Sequence, residues 1–194
     1  MPKVIDHDQR RSYIIDVAWG LIMKGGIEAA TMREIAAEAG FANGALKHYF
    51  PGKDEIIHGA YQRALSAMNE HVTAAIADKT GMEALRTFVE TTLPVDEDAE
   101  SAARVLLSFW EHGIGNDALR TAYHEHLESW RATLVTLIED ARAEGTVRTT
   151  KSDEELVDEI ILVNIGATVL AVTGPQFVRP ESLRRLAASF FEGL

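Results

Sequence analysis

The sequence predicts an all-α chain, and three observations carry that reading. Apolar residues recur every three or four positions along nearly the whole length. Three Ser/Thr-x-x-Glu patterns stand where such stretches begin: Thr31 with Glu34, Thr80 with Glu83 and Ser152 with Glu155. In such a pair the hydroxyl and the carboxylate satisfy each other's backbone amides. Glycine or proline stands where the stretches end.

The first helix carries Ile14, Ile15, Ala18, Leu21 and Ile22, and Gly25-Gly26 ends it. The second opens at Thr31, presents Met32, Ile35, Ala36 and Ala39 on one face, and breaks at Gly40. A third, short helix covers residues 43–50, and the chain turns at Pro51-Gly52 because proline cannot continue it. From Lys53 a long helix is striped by Ile57, Tyr61, Ala64, Leu65, Met68, Val72 and Ala75. At 1.5 Å per residue it spans roughly 37 Å.

Thr80 opens a helix with Leu85, Phe88 and Val89, closed by Pro94. An acidic stretch, residues 96–98, leads into a helix with Val105, Leu106, Phe109 and Trp110, and residues 113–116 form a turn. A second long helix carries Leu119, Tyr123, Leu127, Trp130, Leu134, Leu137 and Ile138, with Gly145 as its cap. Ser152 opens a strongly apolar helix that Gly174-Pro175 ends. Within it, residues 169–172 include β-branched side chains that suit a strand, but no partner strand exists elsewhere, so they read as helix. Pro180 suits the first turn of a last helix with Leu183, Leu186, Ala187, Phe190 and Phe191. About nine helices result, three short ones and then six.

Composition narrows the function. The chain has 194 residues, 46% hydrophobic and 25% charged, so it buries a real core. Net charge is −11, and it is unevenly spread. Residues 1–58 hold seven Lys/Arg against eight Asp/Glu, so the acidic excess lies beyond them and the first region can still present a basic surface. Without cysteine there is no disulfide, no thiol nucleophile and no thiolate zinc site. No uninterrupted run of 18 apolar residues occurs, so no membrane partner is expected. Residues 1–11 are polar and lack a signal-peptide hydrophobic region, which predicts a cytoplasmic protein. His124 and His126 are two apart on a helix and do not make a metal pair. No His-Glu-x-x-His, Gly-rich phosphate loop or nucleophile elbow occurs. No catalytic residue, metal or cofactor is therefore expected, and the chain does not read as an enzyme.

Two short helices joined by a tight Gly turn are the sequence form of a helix-turn-helix. Ala36 and Ala37 are small where the helices approach, and Gly40 allows a left-handed turn. The second helix offers Asn43, Gly44, Ala45, Lys47 and His48. Such a helix can enter a major groove, where Asn reads base edges and Lys neutralises phosphate. Asn43 has two readings, a base-reading side chain or only a helix cap.

The stretch from Thr31 through Ile35-Ala36 and Ala39-Gly40 to His48-Tyr49-Phe50-Pro51-Gly52-Lys53 resembles the DNA-binding domain of the TetR family of bacterial repressors. Asn43-Gly44 and the Phe109-Trp110, Trp130 pattern are similar to its BetI-like branch, which includes choline-responsive regulators. The resemblance implies a DNA-binding domain over residues 1–52 and an effector-binding and dimerisation domain over 53–194. It implies that Arg33 reaches a base or phosphate and that Thr31 and Met32 lie near the DNA backbone. Asn43, Gly44, Ala45 and Lys47 would face bases, and His48, Tyr49 and Lys53 would contact phosphates. Tyr49 also fits a purely packed role. The chain departs from the family at Ala42, where Ser or Thr usually caps the recognition helix, and at Lys47, where Tyr is frequent.

In the second region Phe88, Phe109, Trp110, Tyr123 and Trp130 lie on apolar helix faces. Each suits a core, and together they suit a ligand cavity. Asn164 stands on an otherwise apolar helix, where a buried amide needs partners. An effector, a mate across a dimer axis and an internal hydrogen bond are all open to it. The apolar surplus of the last two helices predicts a homodimer. The expected function is a repressor that binds a double-stranded palindromic operator and is released by a small effector, cationic or largely apolar. The rival is a helical effector-binding and oligomerisation protein that has lost specific DNA recognition, favoured by Ala42 and by the slightly negative head.

Overall fold

The computed structural model describes residues 7–42 and 44–194. Among them are eight α-helices and no strand: α1 (His7–Gly25), α2 (Met32–Glu38), α3 (Lys53–Ile76), α4 (Gly81–Thr92), α5 (Glu97–Gly113), α6 (Asp117–Ala143), α7 (Asp153–Thr173) and α8 (Pro180–Glu192). Residues 169–172 are helical, as expected. The third expected helix is the exception, because Ala45–His48 forms a four-residue 3₁₀ turn rather than an α-helix. Two local causes act there. Gly44 stands at its N-cap with no side chain to hold the free amides, and Pro51 bars extension at the other end.

The chain divides into two compact units. The first comprises the residues up to Ala67 with Ser108–Ala122. Ile14, Ala18 and Ile22 of α1 are buried there, with Ile35 and Ala36 of α2, Leu46, Phe50, and Ile56, Ile57, Ala60 and Tyr61 of α3. These positions repeat at three or four residues, which is why their stripes could be read from sequence. The α2 C-terminus closes as a Schellman motif, in which Gly40 N–H donates to Ala37 O at 3.3 Å and Phe41 N–H to Ala36 O at 2.8 Å. Gly40 takes φ 73°, the left-handed conformation this motif needs.

The second unit comprises Met68–Leu107 with Tyr123–Leu194. Its core joins Leu85, Phe88, Trp130, Leu134, Leu156 and Phe191 with their apolar neighbours. Ser152 and Glu155 form the full reciprocal capping box at the start of α7. Thr80 does not form its own with Glu83. Glu144 at the end of α6 supplies that cap instead, accepting from Thr80 Oγ1 and from Met82 N–H, both at 3.2 Å. A Cβ on Gly81 would fall 2.0 Å from that carboxylate, so glycine is what lets Glu144 reach the Met82 amide. The α6–α7 connection is latched by Arg142, whose guanidinium donates to Asp153 Oδ1 at 2.6 Å and to the Thr149 and Lys151 carbonyls.

By length and composition alone α7 is long and apolar enough to cross a membrane, although Asp158 and Glu159 interrupt its apolar run. Leu156, Val157, Ile160, Ile161, Ala167 and Thr168 are buried within the second unit, as in the core helix of a folded bundle.

Candidate nucleic-acid interface and effector site

The motif region is built outward from Leu46, which is fully buried and pins the 3₁₀ turn to the first unit. The turn is closed by Ala45 N–H to Ala42 O at 2.8 Å, and by Tyr49 and Phe50 N–H to Leu46 O, both at 2.9 Å. Around the pinned leucine, Gly44, Lys47 and His48 are exposed and Ala45 is half-buried. Thr31 caps α2 by accepting from Glu34 N–H at 3.2 Å. Glu34 does not return the bond to Thr31, and its Oε1 takes the Arg33 guanidinium at 3.1 Å. Arg33 is still 79% exposed and can exchange that surface partner for a phosphate. Met32 is half-buried beside it. Lys53 opens α3, partly exposed, with Glu28 at 3.9 Å. Asn43 lies outside the described residues.

Sequence reasoning stopped at the motif and missed what holds it. Arg11 donates to the Tyr49 carbonyl, and its guanidinium lies 4.2 Å from the Phe50 ring centroid. Arg10 stands 5.6 Å from the Phe41 ring. The half-buried Tyr49 ring packs against His7 at 5.2 Å and Phe41 at 5.8 Å. The first turns of α1 thus bring two cations to the flank of the exposed residues. The available signal was Arg10-Arg11 standing next to an apolar stripe.

In the second unit, Phe88 meets Trp130 edge-on at 5.3 Å. Trp130 meets His126 at 4.8 Å, and His126 meets Tyr123 at 6.3 Å. The i, i+3, i+7 spacing on α6 puts the last three rings on one face. The Trp130 indole N–H donates to Asn69 Oδ1 at 3.0 Å. Phe88, Tyr123 and Trp130 therefore share one row. Phe109 belongs to the first unit, stacked on Tyr61 at 4.6 Å and on Trp19 at 6.4 Å, and Trp110 belongs to that unit too. Asn164 donates Nδ2–H to the Thr92 carbonyl at 2.7 Å, the internal bond among its open readings. It also lines an apolar groove of about 420 Å³ between α4, α7 and α8, beside Leu162, Val163, Leu186 and Phe190.

Residues 14–60 match the bacterial regulatory proteins of the tetR family. Residues 81–194, more than half of the chain, match the BetI-type transcriptional repressor, C-terminal. The chain belongs to the TetR family. It is a transcriptional regulator with a DNA-binding helix-turn-helix and a BetI-type C-terminal region. The HTH-type transcriptional regulator PksA of Bacillus subtilis is 25% identical over 196 residues, covering 100% of this chain and 94% of that protein. The regulator BetI of Pseudomonas paraeruginosa is 31% identical over 123 residues, 62% of each chain. Among solved structures, a transcriptional regulator from Saccharomonospora viridis in complex with choline superposes with a TM-score of 0.84 at 24% identity, over 95% of this chain and 96% of that one. A regulator from Rhodococcus does so at 0.78 and 21%, over 94% of each chain.

One member of the aromatic row gives this TetR-family chain a pH signature. Burial pushes His126 down from 6.5 to about 4, so it is neutral at pH 7. The unfolded chain takes up that proton below about pH 6.5, the folded chain only below about pH 4. The stability that depends on a neutral His126 is thus complete above pH 6.5 and is lost as pH falls towards 4, by up to roughly 3 kcal/mol. Urea midpoints at pH 7 and pH 4.5 are expected to fall further in the parent than in His126→Leu. An equal fall in both would assign the proton uptake to other groups.

Proposed function

We propose that the chain is a cytoplasmic repressor that binds a palindromic operator as a homodimer and is released by a small effector. The observation that carries this reading is that Lys47 and His48 are exposed on the turn that the buried Leu46 pins, with Arg33 exposed on α2. In this reading residues 1–52 read DNA and residues 53–194 hold the effector and the dimer face. Gly44, Ala45 and Lys47 face bases together with Asn43. His48, Tyr49 and Lys53 meet phosphates, and Arg33 a base or phosphate, while Thr31 and Met32 set the start of α2 near the backbone. Two such heads reading one palindrome need half-sites about one helical turn apart, roughly 34–36 Å.

The dimer face is drawn from α7, α8 and their connection. Leu162 is 69% exposed, Phe177 76% and Leu186 49%, with Val163 and Leu170 also exposed. A cluster of this kind is what a subunit interface covers. Ile161, Ala167, Leu183 and Phe191 of the same two helices are buried inside the second unit and are not open to an interface.

The effector reading rests on the row Phe88, Trp130 and Tyr123, with Asn164 of the same unit. Aromatic faces attract cations by about 0.5–2 kcal/mol each. The effector is cationic or largely apolar with one polar end, and the choline bound by the Saccharomonospora protein is one such molecule. It acts by favouring one spacing of the two heads over another. No catalytic step is assigned to any residue.

The rival has one observation of its own, the 3₁₀ turn where a longer recognition helix was expected. A mobility-shift titration of the purified protein on its own upstream region separates the two. The proposal expects a shifted complex with that DNA over random duplex, dissolved by choline or a polyamine. Equal, weak binding to both duplexes would favour the rival.

A further inference from the structure

The DNA-binding unit must hold a polyanion with no surplus of positive charge. Residues 1–58 carry seven Lys/Arg against eight Asp/Glu, so attachment depends on where single cations stand. Of the cations on and beside the motif, Arg33 is paired with Glu34 and Lys53 with Glu28. Arg11 is committed to the Tyr49 carbonyl and to the Phe50 ring. Arg10 differs from these. It is exposed, and among the described residues it forms no ion pair. Asp8, two positions earlier on α1, points to another side of the helix.

Arg10 is held by an aromatic face. Its guanidinium stands 5.6 Å from the Phe41 ring centroid, within cation–π range. Such a contact uses the flat face of the guanidinium and leaves its N–H donors for an acceptor. The neighbouring contacts fix the place. Phe41 packs on Tyr49 at 5.8 Å, and Tyr49 on His7 at 5.2 Å. Arg11 ties the same turn of α1 to the Tyr49 backbone. In sequence, Phe41 and Tyr49 bracket the short segment that carries Lys47 and His48. Arg10 is therefore a preorganised cation at the edge of that segment, with no carboxylate to displace before it meets an anion.

We propose that Arg10 is a phosphate-contacting residue of the DNA interface and that Arg11 is its positioning residue. This rests on the reading that the Ala45–His48 turn faces the duplex. The first cation of the dipeptide forks onto a phosphate, and the second ties α1 to the motif. Arg10 precedes residues 14–60, the span that matches the family. It extends the interface from the motif to the first turns of α1. Its contribution is attachment, the same for every sequence and dependent on salt.

Fluorescence anisotropy tests it with the full-length protein, on a duplex from its own upstream region and on a random duplex of equal length, across a salt series. Arg10→Gln is expected to weaken both duplexes by about tenfold, the effect of one charged hydrogen bond. It should also lower the slope of log affinity against log salt by about 0.9 for each head engaged. Arg10→Lys, which keeps the charge, should keep the parent's slope. Arg10→Gln should melt with the parent, whereas Arg11→Gln should melt lower, because it removes the brace on Tyr49. Parent-like affinity and slope in Arg10→Gln would overturn the Arg10 assignment and leave the duplex-facing turn standing. A loss confined to the upstream duplex would make Arg10 a base reader and overturn the phosphate role. A fall in melting temperature matching that of Arg11→Gln, unrepaired by Arg10→Lys, would make Arg10 a mere brace for Phe41 and overturn it too. If the parent binds neither duplex, the reading of the turn falls and this assignment falls with it.

Discussion

Replacing Leu162 and Leu186 together by glutamate should convert the protein to monomers and weaken operator binding by at least about a hundredfold. Both leucines are exposed in the single chain, at 69% and 49%, so the protomer's own core does not depend on them. In a two-fold interface each substitution acts twice. Burying a leucine is worth about 1.5–3 kcal/mol, so four losses exceed what a micromolar dimer can spare. Four carboxylates brought face to face oppose association further. A monomer then engages one half-site with half of the phosphate contacts, and the linked gain from the second head disappears. Sedimentation at micromolar concentration reads the assembly, and a mobility shift reads the DNA. A melting temperature close to the parent's shows that the fold is intact. A double variant that stays dimeric would place the interface away from α7 and α8.

The helices were legible because burial imposes a period. Ile14, Ala18 and Ile22, or Leu134, Ile138 and Ala141, are all buried, and each set is spaced to lie on one face of its helix. Local capping was legible where both partners are neighbours, as at Ser152 with Glu155 and at Gly40. It failed at Thr80, because Glu144, 64 residues away, accepts from the Thr80 hydroxyl and from Met82 N–H, and the local pair with Glu83 does not form. No window of sequence contains that competition.

The candidate site divides in the same way. The residues of the motif could be named from their order alone, but not the 3₁₀ geometry of Ala45–His48 or the Arg11 hydrogen bond that braces Tyr49, 38 residues away. The aromatic residues could be assigned to inward faces, but a stripe states that a side chain is buried and not against what. Phe109 finds Tyr61 and Trp19, whereas Phe88 finds Trp130. The spacing of His124 and His126 says only that the two point to different sides of their helix, and not that His126 lies between Tyr123 and Trp130.

Lys47→Glu should remove specific operator binding, by about a hundredfold or more, and leave the dimer and any effector binding unchanged. Lys47 is exposed on the short turn that Leu46 anchors, so its side chain makes no core contact that the substitution would break. Loss of a base or phosphate contact costs about 1–3 kcal/mol, and a carboxylate held against the duplex adds repulsion. Lys53→Ala should behave differently. Lys53 opens the 24-residue α3, whose first-turn amides also favour an anion. Its loss is expected to weaken all duplexes by a similar factor and to lower the slope of log affinity against log salt by about 0.9. The two variants thus separate reading from attachment in one salt titration: Lys47→Glu erases the difference between operator and random DNA, while Lys53→Ala lowers both lines together. If Lys47→Glu keeps the parent's preference at every salt concentration, the base-facing role of the turn is wrong, and recognition must lie on other residues, such as Arg33 or the Arg10-Arg11 pair beside it.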